Sequence, residues 1–341
     1  MSTFLRRLRA EAPPEFLAAL AVAAVLAVVL VLDQMHWWQL KPDYAFGWLV
    51  PLFVGYVMLE RWPLILAGLR CAGESPLSPA WRRVLAVVFG LIMALGMTFF
   101  LLGALYRAGA GVSQPGSFAL AAGFAGMLFG LVYFNVPNGR LGAGPAPTGW
   151  RALMVDARLQ TAALFLFPAL IWMLSAPLVD AVENQLSLFL LRKVVTVVSF
   201  VFNLLGYPLV QEGNVLVLPV GQVGVADACS GIRSLTACLF AGSFLAAVFL
   251  DKLWKRVALV SVALGLAFAT NLLRSLFLTS WAYRNGSDSI EGTVHDVTGY
   301  AVLGLTCVAL LCLLPLFNSD NWLRWLGAKE TKSEADETPQ R

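Results

Sequence analysis

Charge is what this sequence has least of. Asp, Glu, Lys and Arg make up 13% of its 341 residues, about half the share found in a soluble domain. That is too little polar surface to clothe a water-soluble fold, which excludes a soluble enzyme carrying a single anchor. Histidine is scarcer still. His36 and His295 are the whole complement, so a histidine-rich metal site is excluded, and neither a metal nor a cofactor is expected. Cysteine is sparse and odd in number: Cys71, Cys229, Cys238, Cys307 and Cys312. Their spacing makes no zinc or redox motif. Four of them lie in or beside apolar runs, so no disulfide framework is expected. The basic residues stand singly between apolar runs and form no patch, which argues against nucleic acid as a partner.

What is there is hydrophobic sequence, 59% of the chain. A bilayer core of about 30 Å takes about 20 apolar residues as a helix. By that measure eight spans are expected, near 16–34, 45–60, 84–106, 117–134, 160–177, 229–250, 257–280 and 297–317. The first follows Arg6-Arg7-Leu8-Arg9, as a signal peptide would. The run is long, however, and Asp33-Gln34-Met35 offers no small-residue cleavage pattern, so it reads as a retained span. With the N-terminus inside, 17 of the 24 Lys and Arg fall in inside segments and 5 in outside loops. The excess of basic residues on one side sets N-in, C-in as the expected orientation.

The stretch Leu186 to Leu205 is apolar enough to be a ninth span. It carries Arg192-Lys193 and Asn203, and a crossing there would turn Lys252, Lys255 and Arg256 outward. It therefore reads as a helix along the outer surface, apolar face down. Short β-branched runs follow, flanking Gly213-Asn214 and Gly221-Gln222, and predict small strands with turns at those pairs. Together 178–228 form an outer-face cap. The fold class is thus an all-α polytopic membrane protein of about eight transmembrane helices with a small cap of surface helix and short strands. Residues 1–327 make one integral membrane domain. Residues 328–341 are polar without apolar periodicity and read as a disordered cytoplasmic tail. No internal repeat points to inverted transporter halves.

Three stretches then fall at one depth. Cys229 stands where the sixth span begins on the outer side. Asn271 and Arg274 lie in the outer half of the seventh. His295 opens the eighth after an outer loop. A cysteine at a helix N-terminus meets the positive end of the dipole, which favours thiolate. Arg233 follows one turn later. His295 could take the thiol proton and return it to a leaving amine, and an arginine could hold the oxyanion of acyl transfer. Gly231 allows close approach of backbone and substrate. Asp43 and Asp227 are either partners of the arginines or loop caps. A cysteine in a membrane helix is ordinarily a small apolar residue, and Cys238, Cys307 and Cys312 read that way. Intramembrane arginines are costly and point to function.

The stretches Asp227-Ala-Cys229-Ser-Gly-Ile-Arg-Ser, Asn271-Leu-Leu-Arg274 and His295-Asp-Val-Thr-Gly resemble the three signatures of the exosortase/archaeosortase family. They span the signature region 227–299. Asp43-Tyr-Ala-Phe-Gly-Trp-Leu-Val-Pro51 is similar to that family's N-terminal stretch, which often has His at the place of Phe46; the departure is expected to touch the cap or entry region, not the catalytic set. The resemblance implies a cysteine transpeptidase of the bacterial inner membrane, with its active site facing the periplasm. Its partners would be exported proteins with a C-terminal, PEP-CTERM-like sorting signal, membrane lipid and an unknown acceptor. Carried over, Cys229 is the nucleophile, Arg274 the substrate- or oxyanion-binding arginine and His295 the acid/base. Arg233 and Asn271 are substrate-binding candidates. Two other classes stay open: a non-catalytic envelope or exopolysaccharide assembly or transport protein, binding polyprenyl phosphate through Arg233 and Arg274, and an intramembrane protease whose thioester ends with water.

Overall fold

The computed structural model describes residues 12–71, 73–142, 147, 149–219, 221–224, 231–250, 252–290 and 292–318. Its helices are α1 (Pro14–Leu40), α2 (Val50–Arg70), α3 (Pro79–Ala110), α4 (Gln114–Asn135), α5 (Ala157–Leu164), α6 (Leu166–Ser175), α7 (Asp180–Leu204), α8 (Ile232–Phe249), α9 (Leu253–Asn285) and α10 (Thr293–Asn318). A tight 3-10 turn, Pro42–Leu49, leads into α2. Among the described residues, nine helical stretches are long and apolar enough to cross a membrane by length and composition, with α5 and α6 counted together. The chain is therefore an all-α polytopic membrane protein. The expected tail, 328–341, lies outside the described residues.

Capping residues and prolines set several boundaries. Ser78 and Ser113 accept from the backbone of the first turns of α3 and α4, each of which carries a proline near its start, where the missing N–H costs nothing. Pro168 has the opposite effect. It cannot donate to the carbonyl of Leu164, four residues back, and the helix breaks into α5 and α6 at Phe165. The freed Leu164 carbonyl takes a bond from Arg61 Nη1 at 2.6 Å, and Arg61 Nη2 donates to Ala247 O, near the end of α8, at 3.0 Å. Arg61 was expected in an inside loop. It is instead a buried residue of α2, because two orphan carbonyls of neighbouring helices repay its burial.

Helices α3 and α4 approach most closely through glycine. A Cβ on Gly96 would stand 2.7 Å from Met127 N, and one on Gly123 would stand 2.5 Å from Phe100 N. Small residues let backbones touch where lipid gives no hydrophobic drive for association. Polar ties hold α1 to its neighbours. Trp37 Nε1 donates to Ser117 Oγ at 2.8 Å, Trp38 Nε1 donates to Ser175 O at 3.0 Å, and Arg107 pairs with the buried Asp33.

Contacts also tie α7 to its neighbours. Lys41, just past α1, meets Asp180 at 3.6 Å and Glu183 at 3.0 Å, in the first turn of α7. At the other end of α7, Phe202 packs on Tyr283, near the end of α9. The ends of α1 and α9 share one end of the bundle, as do the turn at Asp43 and the start of α8, joined by the Asp43–Arg233 ion pair. Helix α7 is thus tied to the end of α1 at its start and to α9 at its end. Val194, Val195, Val198 and Phe202 face inward and share a small second core with Leu216, Leu218, Leu278 and Ala282. At 33 residues α9 is roughly 50 Å long, longer than the bilayer core.

The three strands, Val210–Glu212, Val215–Leu218 and Gly221–Gly224, form an antiparallel meander. Gly213, with φ of 62°, makes the first turn as expected. The second turn comes earlier than expected. Leu218 pairs with Gly221, and Gln222 pairs with Val217, so Gly221 and Gln222 belong to the third strand. Pro219, which cannot donate to a ladder, is what ends the second.

Candidate active site

The site forms where the Asp43 turn, α8, α9 and α10 converge. The turn is fixed from both sides. The Tyr44 hydroxyl accepts from Leu178 N at 3.0 Å, and the Trp38 indole covers Gly47 so closely that a side chain there would collide with it. Phe46, whose departure from the family pattern was expected to touch the cap or entry region, packs on Phe240 of α8 with ring centroids 5.0 Å apart. So held, Asp43 grips the first turn of α8 twice. Its carboxylate accepts from Arg233 Nε at 3.1 Å and its carbonyl from Thr236 Oγ1 at 2.9 Å.

Helix α8 begins at Ile232, with Gly231 in the left-handed region at φ 71°, ψ −5°. Beneath Gly231 lies Asn271, which is 3% exposed. A Cβ on Gly231 would stand 2.8 Å from Asn271 Nδ2. Backbone and space therefore both demand glycine here. Asp227, Cys229 and Ser230 lie outside the described residues. Cys229 stands two positions before Gly231 in the chain.

Across from Gly231, one nitrogen of Arg274 makes two bonds. Nη2 donates to His295 Nε2 at 2.9 Å and to His295 O at 3.1 Å. The first bond requires an imidazole whose Nε2 is a bare acceptor, so the ring proton belongs on Nδ1. Asp296 Oδ1 stands 3.4 Å from Nδ1, on the side where a carboxylate favours that tautomer. One turn beyond His295, Gly299 leaves room for the guanidinium: a Cβ there would touch Arg274 Nη2 at 3.4 Å. Arg274 Nε is buried without a hydrogen-bond partner among the described residues. Among the described residues the guanidinium is thus anchored at one corner, through Nη2.

These groups surround a cavity of about 120 Å³ lined by Gly231, Arg233, Arg274, His295 and Asp296, with Tyr300 at its edge. Of the site residues expected from sequence, Arg233, Arg274 and His295 share this cavity. Asn271 lies buried under its wall and is placed to support Gly231. Asp43, one of two open partners for the arginines, is the partner of Arg233. Sequence reasoning missed Asp296 and Tyr300. Asp296 adjoins His295 in the chain, which was a usable signal; Tyr300 gave none. Cys238 is buried within α8, and Cys307 and Cys312 are exposed along α10, away from the cavity.

A pocket that sets Arg233 and Arg274 among Asp43, His295 and Asp296, beside a glycine turn at one end of a helical bundle, offers guanidinium donors to an oxyanion and an imidazole to a proton. A family model described as transmembrane exosortase matches residues 37–312. No curated protein and no solved structure matches the chain.

Proposed function

The chain belongs to the transmembrane exosortase family, and from that premise we propose that it is a cysteine transpeptidase of the bacterial inner membrane. Its substrates are exported proteins with a C-terminal, PEP-CTERM-like sorting signal, and its site faces the periplasm. The observation that carries the reading is the Arg274–His295 pair on one cavity with Gly231, two residues from Cys229. The excess of basic residues at the opposite end supports the orientation.

In this mechanism His295 takes the proton of the Cys229 thiol, and the sulfur attacks the scissile carbonyl. The carbonyl π electrons move to oxygen, and the guanidinium of Arg274 holds the resulting oxyanion. The C–N bond then breaks, and His295 gives its proton to the leaving amine. A thioester remains on Cys229 until an acceptor nucleophile attacks it and restores the thiol. Proton transfer through Nε2 requires Arg274 to release that nitrogen. A developing oxyanion offers the guanidinium a charged acceptor in exchange, and a charge-assisted bond is the stronger one. Asp296 supports the imidazolium in between. A substrate whose cleavage site adjoins its own membrane helix reaches the thiol at fixed depth, which replaces a deep soluble cleft as the positioning device.

The test is Cys229→Ala with a co-expressed sorting-signal protein. Processing stops while the enzyme stays in the membrane. Undiminished processing would contradict the reading and favour a non-catalytic envelope role. The C-terminus of the released product, measured by mass spectrometry, separates transfer from hydrolysis: an added group means transfer, a free carboxylate means water.

A further inference from the structure

A second and larger cavity lies behind the site. It is a groove of about 610 Å³ walled by Phe167 and Leu170 of α6, Leu239 and Ala246 of α8, and Val257 and Val260 of α9. At the site end it reaches Tyr44 and Thr236; at the opposite end it reaches Arg61 and Arg256. Leu170 and Val257 are more than half exposed, so the groove opens sideways from the bundle. In a membrane that side is hydrocarbon, and an apolar groove there is filled by chains and not by water.

The charge at its far end is unusual. Arg61 is 6% exposed. Its two bonds go to neutral carbonyls, those of Leu164 and Ala247, and among the described residues no carboxylate is within ion-pair distance of it. The charges near enough to act on it are Arg256, which repels it, and Glu60, which lies on the exposed side of α2. A guanidinium at membrane depth ordinarily carries a partner. Here hydrogen bonds satisfy part of the group, and among the described residues the charge itself has no counter-ion in contact.

We propose that the groove binds an anionic phospholipid, with its acyl chains along α6 and α8 and its phosphate at Arg61 and Arg256. The apolar walls fit hydrocarbon, and the phosphate supplies the missing negative charge. A membrane helix flanked by Lys or Arg fits the same walls poorly, because its basic end would meet two guanidinium groups. The lipid fills the groove walled by α6, α8 and α9 and so backs the helix whose first turn lines the active site.

The experiment is native mass spectrometry of the full-length protein, purified in detergent and offered phosphatidylglycerol and phosphatidylcholine with matched chains. Wild type retains phosphatidylglycerol over phosphatidylcholine by roughly tenfold or more, the scale expected of two basic side chains. Arg61→Gln loses that preference. Because Arg61 also ties three helices together, a second variant leaves it in place: Ala163→Trp fills the groove beside Leu164 and abolishes retention of both lipids. Equal retention of the two lipids by wild type would overturn the proposal, as would unchanged retention in Ala163→Trp. Photo-crosslinking from position 257 in membranes is expected to capture lipid; capture of a partner's apolar helix instead would also overturn it.

Discussion

One nitrogen organises the site. Arg274 Nη2 holds both the ring and the carbonyl of His295, so the arginine and the histidine act as a pair. Arg274→Gln removes the oxyanion donor and is expected to slow processing by roughly a hundredfold or more. His295→Gln keeps an acceptor for Arg274 but no proton shuttle, and is expected to slow it on a similar scale. Because the residues work on the same transition state, the double variant should be little slower than either single one. Turnover of a fluorescent sorting-signal peptide in proteoliposomes measures all three. Gly231→Ala tests a different property. The left-handed backbone and the collision with Asn271 predict destabilisation of about 1–3 kcal/mol, read as a lower midpoint of thermal unfolding in detergent. Arg274 was legible in the sequence because a charge inside an apolar run calls for an explanation, and His295 because it opens a span at the same depth. The demand on Gly231 was not, because Asn271 lies 40 positions away and only the fold brings it beneath the glycine.

The helices show where sequence pattern succeeds and where it stops. Long apolar runs gave away the spans, because lipid leaves a chain no other way to satisfy its backbone. The ends were less legible. Helix α2 continues past Arg61 because carbonyls freed by Pro168 and by the end of α8 wait for it, a partnership that no local window contains. The glycine contact of α3 and α4 was equally silent, since glycine also marks turns and loops. Its energetic weight can be measured. Gly123→Leu would force the two backbones apart and is expected to cost about 1–3 kcal/mol, possible relief by helix shift included, whereas the same change at Gly109, which meets nothing within 4 Å, is expected to cost less than half of that. Thermal unfolding of the two variants side by side checks the difference.

At the scale of the molecule, hydrophobicity alone is ambiguous. Among the described residues nine stretches qualify as spans by length and composition, and an odd number of crossings would put the chain ends on opposite sides. The count of basic residues favoured laying α7 along the surface. In the structure Lys41 holds the first turn of α7, and Phe202 in its last turn meets Tyr283 of α9. Moving Arg61 into α2 leaves 16 of the 24 basic residues in inside segments against 5 outside, so the bias survives. A single cysteine placed at Ser287, in a background without other cysteines, is expected to react with a membrane-impermeant maleimide in intact spheroplasts. One at Ser75 is expected to stay unlabelled until the membrane is opened.

The account turns on Cys229, and the most direct measurement is capture of the acyl-enzyme. The purified protein, incubated in proteoliposomes with a sorting-signal peptide and quenched in acid, is digested and sequenced by mass spectrometry. The account predicts an acyl adduct on Cys229 that hydroxylamine removes and that Cys229→Ala lacks. Cleaved peptide with no adduct on Cys229, or an adduct on another residue, would contradict it.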